Sequence, residues 1–152
     1  TFGNISELND FVDKCDSAIT NSASRTEISY PQEAVKSWDE DTIIAQNKDF
    51  LETISKKANI YAIYTCTNGN ESKLRYIGKT KNELAKNRIK NHLFKKSEET
   101  GAKLNEIKQQ AQKGSKVFVS WIQVEPESLR NCIEEELIIR HPEADWNIKK
   151  SS

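Results

Sequence analysis

What this chain lacks excludes several classes of protein. Its three cysteines, Cys15, Cys66 and Cys132, are odd in number and contain no C-x-x-C pair, so neither a disulfide framework nor a zinc ribbon is expected. No apolar run approaches the roughly 20 residues that cross a bilayer, so we expect no membrane partner. His92 and His141 are the only histidines, and without a third nitrogen or thiolate ligand a catalytic zinc is not expected. The cysteine pattern favours a reducing, cytoplasmic location.

The chain also lacks net charge, with 23 Lys and Arg against 23 Asp and Glu among 152 residues. The two parts of the sequence differ, however. Residues 1–57 carry 6 basic and 11 acidic residues, whereas residues 58–152 carry 17 and 12. A net of −5 followed by a net of +5 favours a polyanion-binding domain at 58–152 behind an acidic extension at 1–57. Two ordinary solvated surfaces are equally compatible with the charge alone.

The extension is predicted to be helical. Apolar residues in 4–19 recur at three- and four-residue spacing, which predicts an amphipathic helix. The polar run Thr20 to Ser29 is predicted to be a loop, and a second helix is predicted from Asp41 to Lys57. The extension contains no histidine and no Gly-rich loop. Its apolar stripes are therefore expected to cover the rest of the chain or to mediate assembly, with a homodimer as the first candidate.

From residue 59 the pattern becomes that of alternating strands and helices. The predicted elements are strand Ile60 to Cys66, a turn at Asn68-Gly69-Asn70, strand Leu74 to Gly78, a helix from about Asn82 to Lys95, a helix from Ala102 to Gln112 after Gly101, strand Lys116 to Val124, and a helix from Pro126 to Arg140. The order β-β-α-α-β-α predicts an α/β (α+β) fold with a small three-stranded, mainly antiparallel sheet flanked by helices.

Several residues in this region are candidates for chemistry, although each one alone is unspecific. Tyr61, Tyr64 and Tyr76 lie in strands, where tyrosine commonly serves packing. Arg88 and His92 are four residues apart on one helical face, so both can address one ligand, and an Arg fork matches phosphate oxygens.

Two further motifs lie in the same region. Gly78-Lys79-Thr80 is not a phosphate-binding loop, because that motif needs glycine at position 73, which is Lys. In the acidic run 134–136, Glu134 precedes Leu137 and Ile138 by three and four residues, which places it near the buried edge of its helix.

Taken together and in order, the motifs NIYAI, RYIGKT, R-x-x-x-H, a helical glutamate and a terminal WN resemble the GIY-YIG nuclease family. The resemblance covers Asn59 to about Ile148. It is closest in look to phage and restriction-type members, which similarly contain IYAI, YIGKT and GSKV. One departure is that Asn59 stands where the first motif has glycine.

The resemblance implies a metal-dependent endonuclease that hydrolyses phosphodiester bonds of DNA. It implies that Tyr61 is the general base and that Tyr76 orients water or binds phosphate. Arg88 would clamp the scissile phosphate, and His92 would contact it or share proton transfer. The resemblance further implies that Glu134 binds one Mg²⁺, for which Mn²⁺ would substitute, that Lys79 and Lys103 contact phosphate, and that Asn147 braces the site.

A phenol is a poor base at neutral pH, so a cation must lower the pKa of Tyr61, and Lys79 is the expected cation. Two ambiguities of register remain: Glu135 is the alternative to Glu134, and alternation along the strand allows only one of Tyr61 and Tyr64 to face the site.

Two other functions are compatible with the sequence. One is the nuclease domain of a secreted toxin that an immunity protein neutralises, which agrees with the absence of methionine and of net charge. The other is a nucleic-acid-binding module whose nuclease site has decayed. The presence of Tyr61, Tyr76, Arg88, His92 and Glu134 argues against decay.

Overall fold

The computed structural model describes Gly3, residues 5–96 and residues 102–147. Gly101 and Ile148, at the edges of segments predicted above, lie outside the described residues. The helices are α1 (Ser6–Thr20), α2 (Gln32–Ser37), α3 (Glu40–Gln46), α4 (Lys48–Ile54), α5 (Ala85–Leu93), α6 (Leu104–Gln112) and α7 (Arg130–Arg140). The strands are β1 (Thr26–Ile28), β2 (Ile60–Cys66), β3 (Lys73–Lys79) and β4 (Lys116–Ile122). Short 3₁₀ turns precede α5 and α7.

The strands form one sheet in the order β1-β4-β2-β3, and every pairing is antiparallel. The mixed α/β fold with a small antiparallel sheet is therefore confirmed. The β2–β3 hairpin turns through Gly69, whose φ of 74° is a conformation that glycine adopts without steric cost. Tyr61 pairs with Gly78 on β3 and with Trp121 on β4, so β2 is a central strand.

The sheet has four strands where three were predicted, because the extension contributes one. Thr26–Ile28 pairs with β4, and its register places Ile28 opposite Val117. Only Ile28 of the three residues is buried. A strand this short, with one apolar side chain inside a polar run, carries too little alternation to be recognised from sequence.

The long helix predicted from Asp41 to Lys57 is interrupted at Asn47. There the buried side chain accepts a hydrogen bond from the Ser29 N–H at 2.8 Å and donates to the carbonyls of Ser29 and Ile43, both at 2.8 Å. Asn47 therefore anchors the end of β1 to the junction between α3 and α4. The apolar periodicity on both sides continues across this break, which is why the pattern predicted a single helix.

The core consists of two apolar layers, one on each face of the sheet. The layer under α2 to α6 contains Tyr61, Ile63, Ile89, Leu93 and Phe94. The layer under α1 and α7 contains Val12, Ile19, Tyr64, Ile133 and Leu137. Strands β2 and β4 thus have an apolar layer on each face, which for β4 is what its nearly continuous apolar sequence predicts. Within the described residues, no helix is both long and apolar enough to cross a bilayer.

Candidate active site

The hairpin separates its tyrosines onto opposite faces of the sheet. Tyr61 and Tyr76 point to the face covered by α5, with ring centroids 6.3 Å apart. Tyr64 lies on the other face, where its hydroxyl donates to the carbonyl of Ile19 at 2.9 Å. Of the two alternatives that alternation left open, Tyr61 is therefore the one that lies beside Arg88 and His92.

The ring of Tyr61 lies directly over Gly78, its partner across the strand pair. A Cβ on residue 78 would stand 2.6 Å from both Cζ and Oη of Tyr61. That is well inside van der Waals contact, so a residue with a side chain here would displace the tyrosine ring. The glycine of the YIG motif is thus explained by the space that the Tyr61 ring takes.

His92 is fully buried and forms the third ring of an aromatic triangle. Its ring centroid lies 5.5 Å from that of Tyr61 and 5.1 Å from that of Tyr76. Its Nε2 is 2.7 Å from the Oη of Tyr61, and its Nδ1 accepts the backbone N–H of Lys103 at 3.0 Å. Both ring nitrogens are therefore engaged inside the protein, and neither is left for a phosphate in this arrangement.

These contacts determine which nitrogen of His92 carries the proton. A nitrogen that accepts a backbone N–H must be unprotonated, so the hydrogen of the neutral ring is on Nε2 and is donated to Tyr61. Burial, together with the positive charges of Arg88 and Lys103, lowers the pKa of His92 to about 3. The imidazole is therefore neutral at physiological pH and acts as a donor towards the tyrosine, not as a base.

Arg88 lies on the same face of α5 and supplies positive charge to both tyrosines. Burial raises the pKa of Tyr61 well above its usual value, and the charge of Arg88 with a hydrogen bond from it offsets part of that rise. The pKa of Tyr76 is likewise raised by burial and lowered in part by Arg88. The phenolic oxygen of Tyr61 thus has two donors beside it, His92 and Arg88, which offset part of the cost that burial puts on its phenolate.

Glu134 reaches the same site from α7. Its carboxylate is near enough to Tyr61 and Tyr76 for its charge to raise the pKa of both. It forms an ion pair with Lys79, with Nζ and Oε1 separated by 3.4 Å, while Glu135 is exposed on the next helical position. Burial raises the pKa of Glu134, and Lys79 partly offsets that effect.

Lys79 is therefore not the cation beside Tyr61 that the sequence predicted. Its ammonium pairs with Glu134, and Arg88 is the cation whose charge offsets part of the rise in the pKa of Tyr61. The Nζ of Lys103 lies 5.6 Å from the ring centroid of Tyr76, so this side chain also borders the site. Asn147 binds the edge of β3 through both amide atoms: Oδ1 accepts the Ile77 N–H at 2.9 Å and Nδ2 donates to the Ile77 carbonyl at 2.8 Å.

The residues present fit a divalent cation at Glu134. A half-buried carboxylate that already attracts an ammonium favours positive charge at that point. Magnesium retains much of its water shell, so a single protein carboxylate together with substrate oxygens suffices to hold it. In the described part of the chain, no cluster of three or more His, Cys, Asp or Glu side chains is placed to hold a metal.

Sequence reasoning missed two contributions to this site. One is the backbone N–H of Lys103, which fixes the His92 tautomer and carries no side-chain signal. The other is Asn59, whose buried amide exchanges two 2.8 Å hydrogen bonds with the backbone of Val124. Its place immediately before a strand rich in apolar residues was the available signal, because a buried asparagine needs partners.

Comparison with known proteins agrees with this geometry. The model of the GIY-YIG catalytic domain matches residues 57–145, more than half of the chain. No curated protein and no solved structure matches. The matched range contains Tyr61, Tyr76, Arg88, His92 and Glu134, all of which the fold brings together. The chain belongs to the GIY-YIG family and is a nuclease of that type.

Proposed function

We propose that this protein is a metal-dependent endonuclease that hydrolyses phosphodiester bonds of DNA. The observation that supports it best is the convergence of two donors, His92 and Arg88, on the phenolic oxygen of a buried Tyr61. A structural tyrosine needs one partner, whereas an oxygen that must carry negative charge gains from several. The carboxylate of Glu134 is close enough to the same tyrosine pair for its charge to act on both.

In the proposed reaction Tyr61 is the general base. A water oxygen attacks the phosphorus, the water proton passes to the Tyr61 phenolate, and the bond from phosphorus to the leaving oxygen breaks. In the isolated protein burial keeps the Tyr61 phenol protonated, so the phenolate forms only when positive charge is added at the site. The proton on Nε2 of His92 then stabilises the anion, and Arg88 bridges it to a scissile phosphate.

Glu134 is the proposed ligand of Mg²⁺, with Mn²⁺ as a substitute. The ion would supply positive charge against the charge that develops on the phosphate. Lys79 pairs with the same carboxylate, so an ion held there would compete with its ammonium, which would then be free to contact the phosphate backbone. Lys103, beside Tyr76, is the second proposed backbone contact, and Asn147 holds the edge of β3 in place.

A plasmid digest with Mg²⁺ tests the base. We expect wild type to cut duplex DNA and Tyr61→Phe, which removes only the hydroxyl, to lose activity by a factor of about 10² or more. Tyr64→Phe is the matched control, since it removes a hydroxyl from the opposite face and should leave the cutting rate unchanged. Equal rates for wild type and Tyr61→Phe would exclude Tyr61 as base, and cutting of RNA without DNA would overturn the proposed substrate.

Glu134→Gln tests the metal ligand. The substitution keeps the side-chain volume and removes the charge, so Mn²⁺ binding measured by calorimetry and DNA cutting should both be lost. Glu135→Gln is the control, because Glu135 is the alternative ligand on the same helix. This variant should bind the metal and cut DNA as wild type does. The reverse result would move the ligand to Glu135.

We also propose that the extension, residues 1–57, and the nuclease domain, residues 58–152, form one folded unit.

One active site cuts one strand, so cleavage of both strands would need sequential nicking or a homodimer. Sedimentation with and without a DNA duplex distinguishes these two routes.

A further inference from the structure

Two aromatic side chains of the extension bind the end of the helix that carries Arg88 and His92. The hydroxyl of Tyr30 donates to the carbonyl of Leu93 at 2.9 Å, and the indole N–H of Trp38 donates to the carbonyl of Phe94 at 2.9 Å. The last four carbonyls of a helix have no partner within the helix. At α5 two carbonyls at this end are capped by residues about 60 positions earlier in the chain.

The geometry of Trp38 indicates that this contact is specific. Trp38 terminates α2 in the left-handed conformation, with φ 51° and ψ 60°, which residues other than glycine rarely adopt. Such strain persists only where the surroundings determine it, and it concentrates at functional sites. The indole is fixed from two further directions, since it stacks on Tyr30 with a centroid distance of 5.8 Å, and the Nζ of Lys108 on α6 lies 5.3 Å from its centroid.

His92 immediately precedes the capped carbonyls. Its ring is held between Tyr61 on β2 and the N–H of Lys103 at the start of α6. Trp38 contacts both helices that supply this arrangement, α5 through Phe94 and α6 through Lys108. A displacement of the end of α5 would therefore change the distance between His92 and Tyr61.

We propose that Tyr30 and Trp38 are positioning residues for the active site, holding the end of α5 so that His92 Nε2 donates to Tyr61. The extension is then a part of the catalytic unit and not only a cover for the sheet. This inference rests on the proposed function for its kinetic consequences, while its structural consequence can be measured without any substrate.

The kinetic test uses Tyr30→Phe and Trp38→Phe. Displacements of about an ångström at a catalytic group cost up to about 10²-fold in rate, so we expect kcat for DNA cutting to fall about tenfold in each variant. KM should stay unchanged, because both side chains are engaged with α5 and not with the DNA. The rise of rate with pH should move to higher pH, since a displaced His92 stabilises the phenolate less.

Tyr64→Phe is the matched control for a purely structural effect. It also removes a tyrosine hydroxyl that donates at 2.9 Å to a carbonyl near the C-terminal end of a helix, but that helix is α1, on the opposite face. The control should lose thermal stability without any change in kcat or in the pH profile. Equal kinetic losses in Tyr64→Phe and Tyr30→Phe would overturn the positioning role.

A spectroscopic measurement separates this proposal from the proposed function. The chain has only two histidines, so long-range ¹H–¹⁵N spectra, with His141→Gln to assign them, report which nitrogen of His92 carries hydrogen. Wild type should show one tautomer, protonated on Nε2, and Trp38→Phe should show a mixture. If wild type does not cut nucleic acid but the mixture appears, the proposed function fails and the positioning role stands. An unchanged His92 signal in both variants would overturn the positioning role.

Discussion

At the scale of single residues, the site depends on the close contact between the Tyr61 ring and the backbone of Gly78. A glycine inside a strand weakens the strand, because it adds no packing and loses more conformational entropy on folding. Here the empty position holds the Tyr61 ring, which leaves no room for a Cβ. Gly78, which has no side chain, therefore determines where the proposed base Tyr61 lies.

Gly78→Ala should displace the Tyr61 ring and lower DNA cutting by about tenfold or more, with a stability loss of about 1–3 kcal/mol from overpacking. Initial rates and urea unfolding measure the two effects. Gly69→Ala is the control: at φ 74° with nothing within 4 Å, it should lose stability through backbone strain and cut normally. Wild-type cutting by Gly78→Ala would contradict the account of the ring.

The sequence indicated which residues lie close together better than it indicated the hydrogen bonds between them. Alternation along β2 places Tyr61 and Tyr64 on opposite faces but does not say which face α5 covers. That depends on packing between elements far apart in sequence. The same limit applies to His92, whose partner at Nδ1 is a backbone N–H that no sequence pattern distinguishes.

At the scale of elements, strands with continuous apolar character were predicted almost to the residue, and elements held by a single polar side chain were not. Strand β2 matches its predicted bounds, because seven apolar or β-branched residues in a row determine it. Strand β1 and the break between α3 and α4 both depend on Asn47, whose hydrogen bonds join segments 18 residues apart. The spacing of apolar residues in the sequence does not predict such hydrogen bonds.

Asn47→Ala tests this explanation. It removes three hydrogen bonds, two of which hold the backbone N–H and carbonyl of Ser29 at the end of β1. We expect a loss of about 2–4 kcal/mol in the free energy of unfolding, measured by urea denaturation, and faster amide exchange in β1. Asn105→Ala, at an exposed position of α6, should cost less than about 0.5 kcal/mol. If both variants were equally stable, another contact would have to hold β1.

At the scale of the whole molecule, the acidic extension contacts the rest of the chain at three places. The acidic extension supplies β1 to the sheet, α1 to one face and the caps of α5 on the other. Besides the apolar layer that they share, α1 and α7 are joined by ion pairs. Arg140 pairs with Asp13 at 2.5 Å, and His141 lies between Asp16 at 2.5 Å and Glu143 at 2.8 Å.

The two histidines should therefore give the stability of the protein opposite dependences on pH. Burial lowers the pKa of His92 to about 3. Its contribution to the free energy of unfolding is therefore complete above pH 6.5, the pKa of histidine in the unfolded chain, and is lost as pH falls. Burial alone would lower the pKa of His141, but its hydrogen bonds with Asp16 and Glu143 outweigh that effect and raise it. Its contribution is complete below 6.5 and is lost as pH rises through the folded pKa.

Urea midpoints between pH 5 and pH 9 test this opposition. Below pH 6.5 the free energy of unfolding of wild type should fall by up to about 1.4 kcal/mol per pH unit for one proton. His92→Gln should remove this dependence on the acid side. His141→Gln should flatten only the alkaline side, because the ring that links α1 to α7 is then absent. Each variant is the control for the other, since the remaining titrating groups are shared. If both variants ran parallel to wild type on both sides, neither histidine would contribute the stability that its contacts imply.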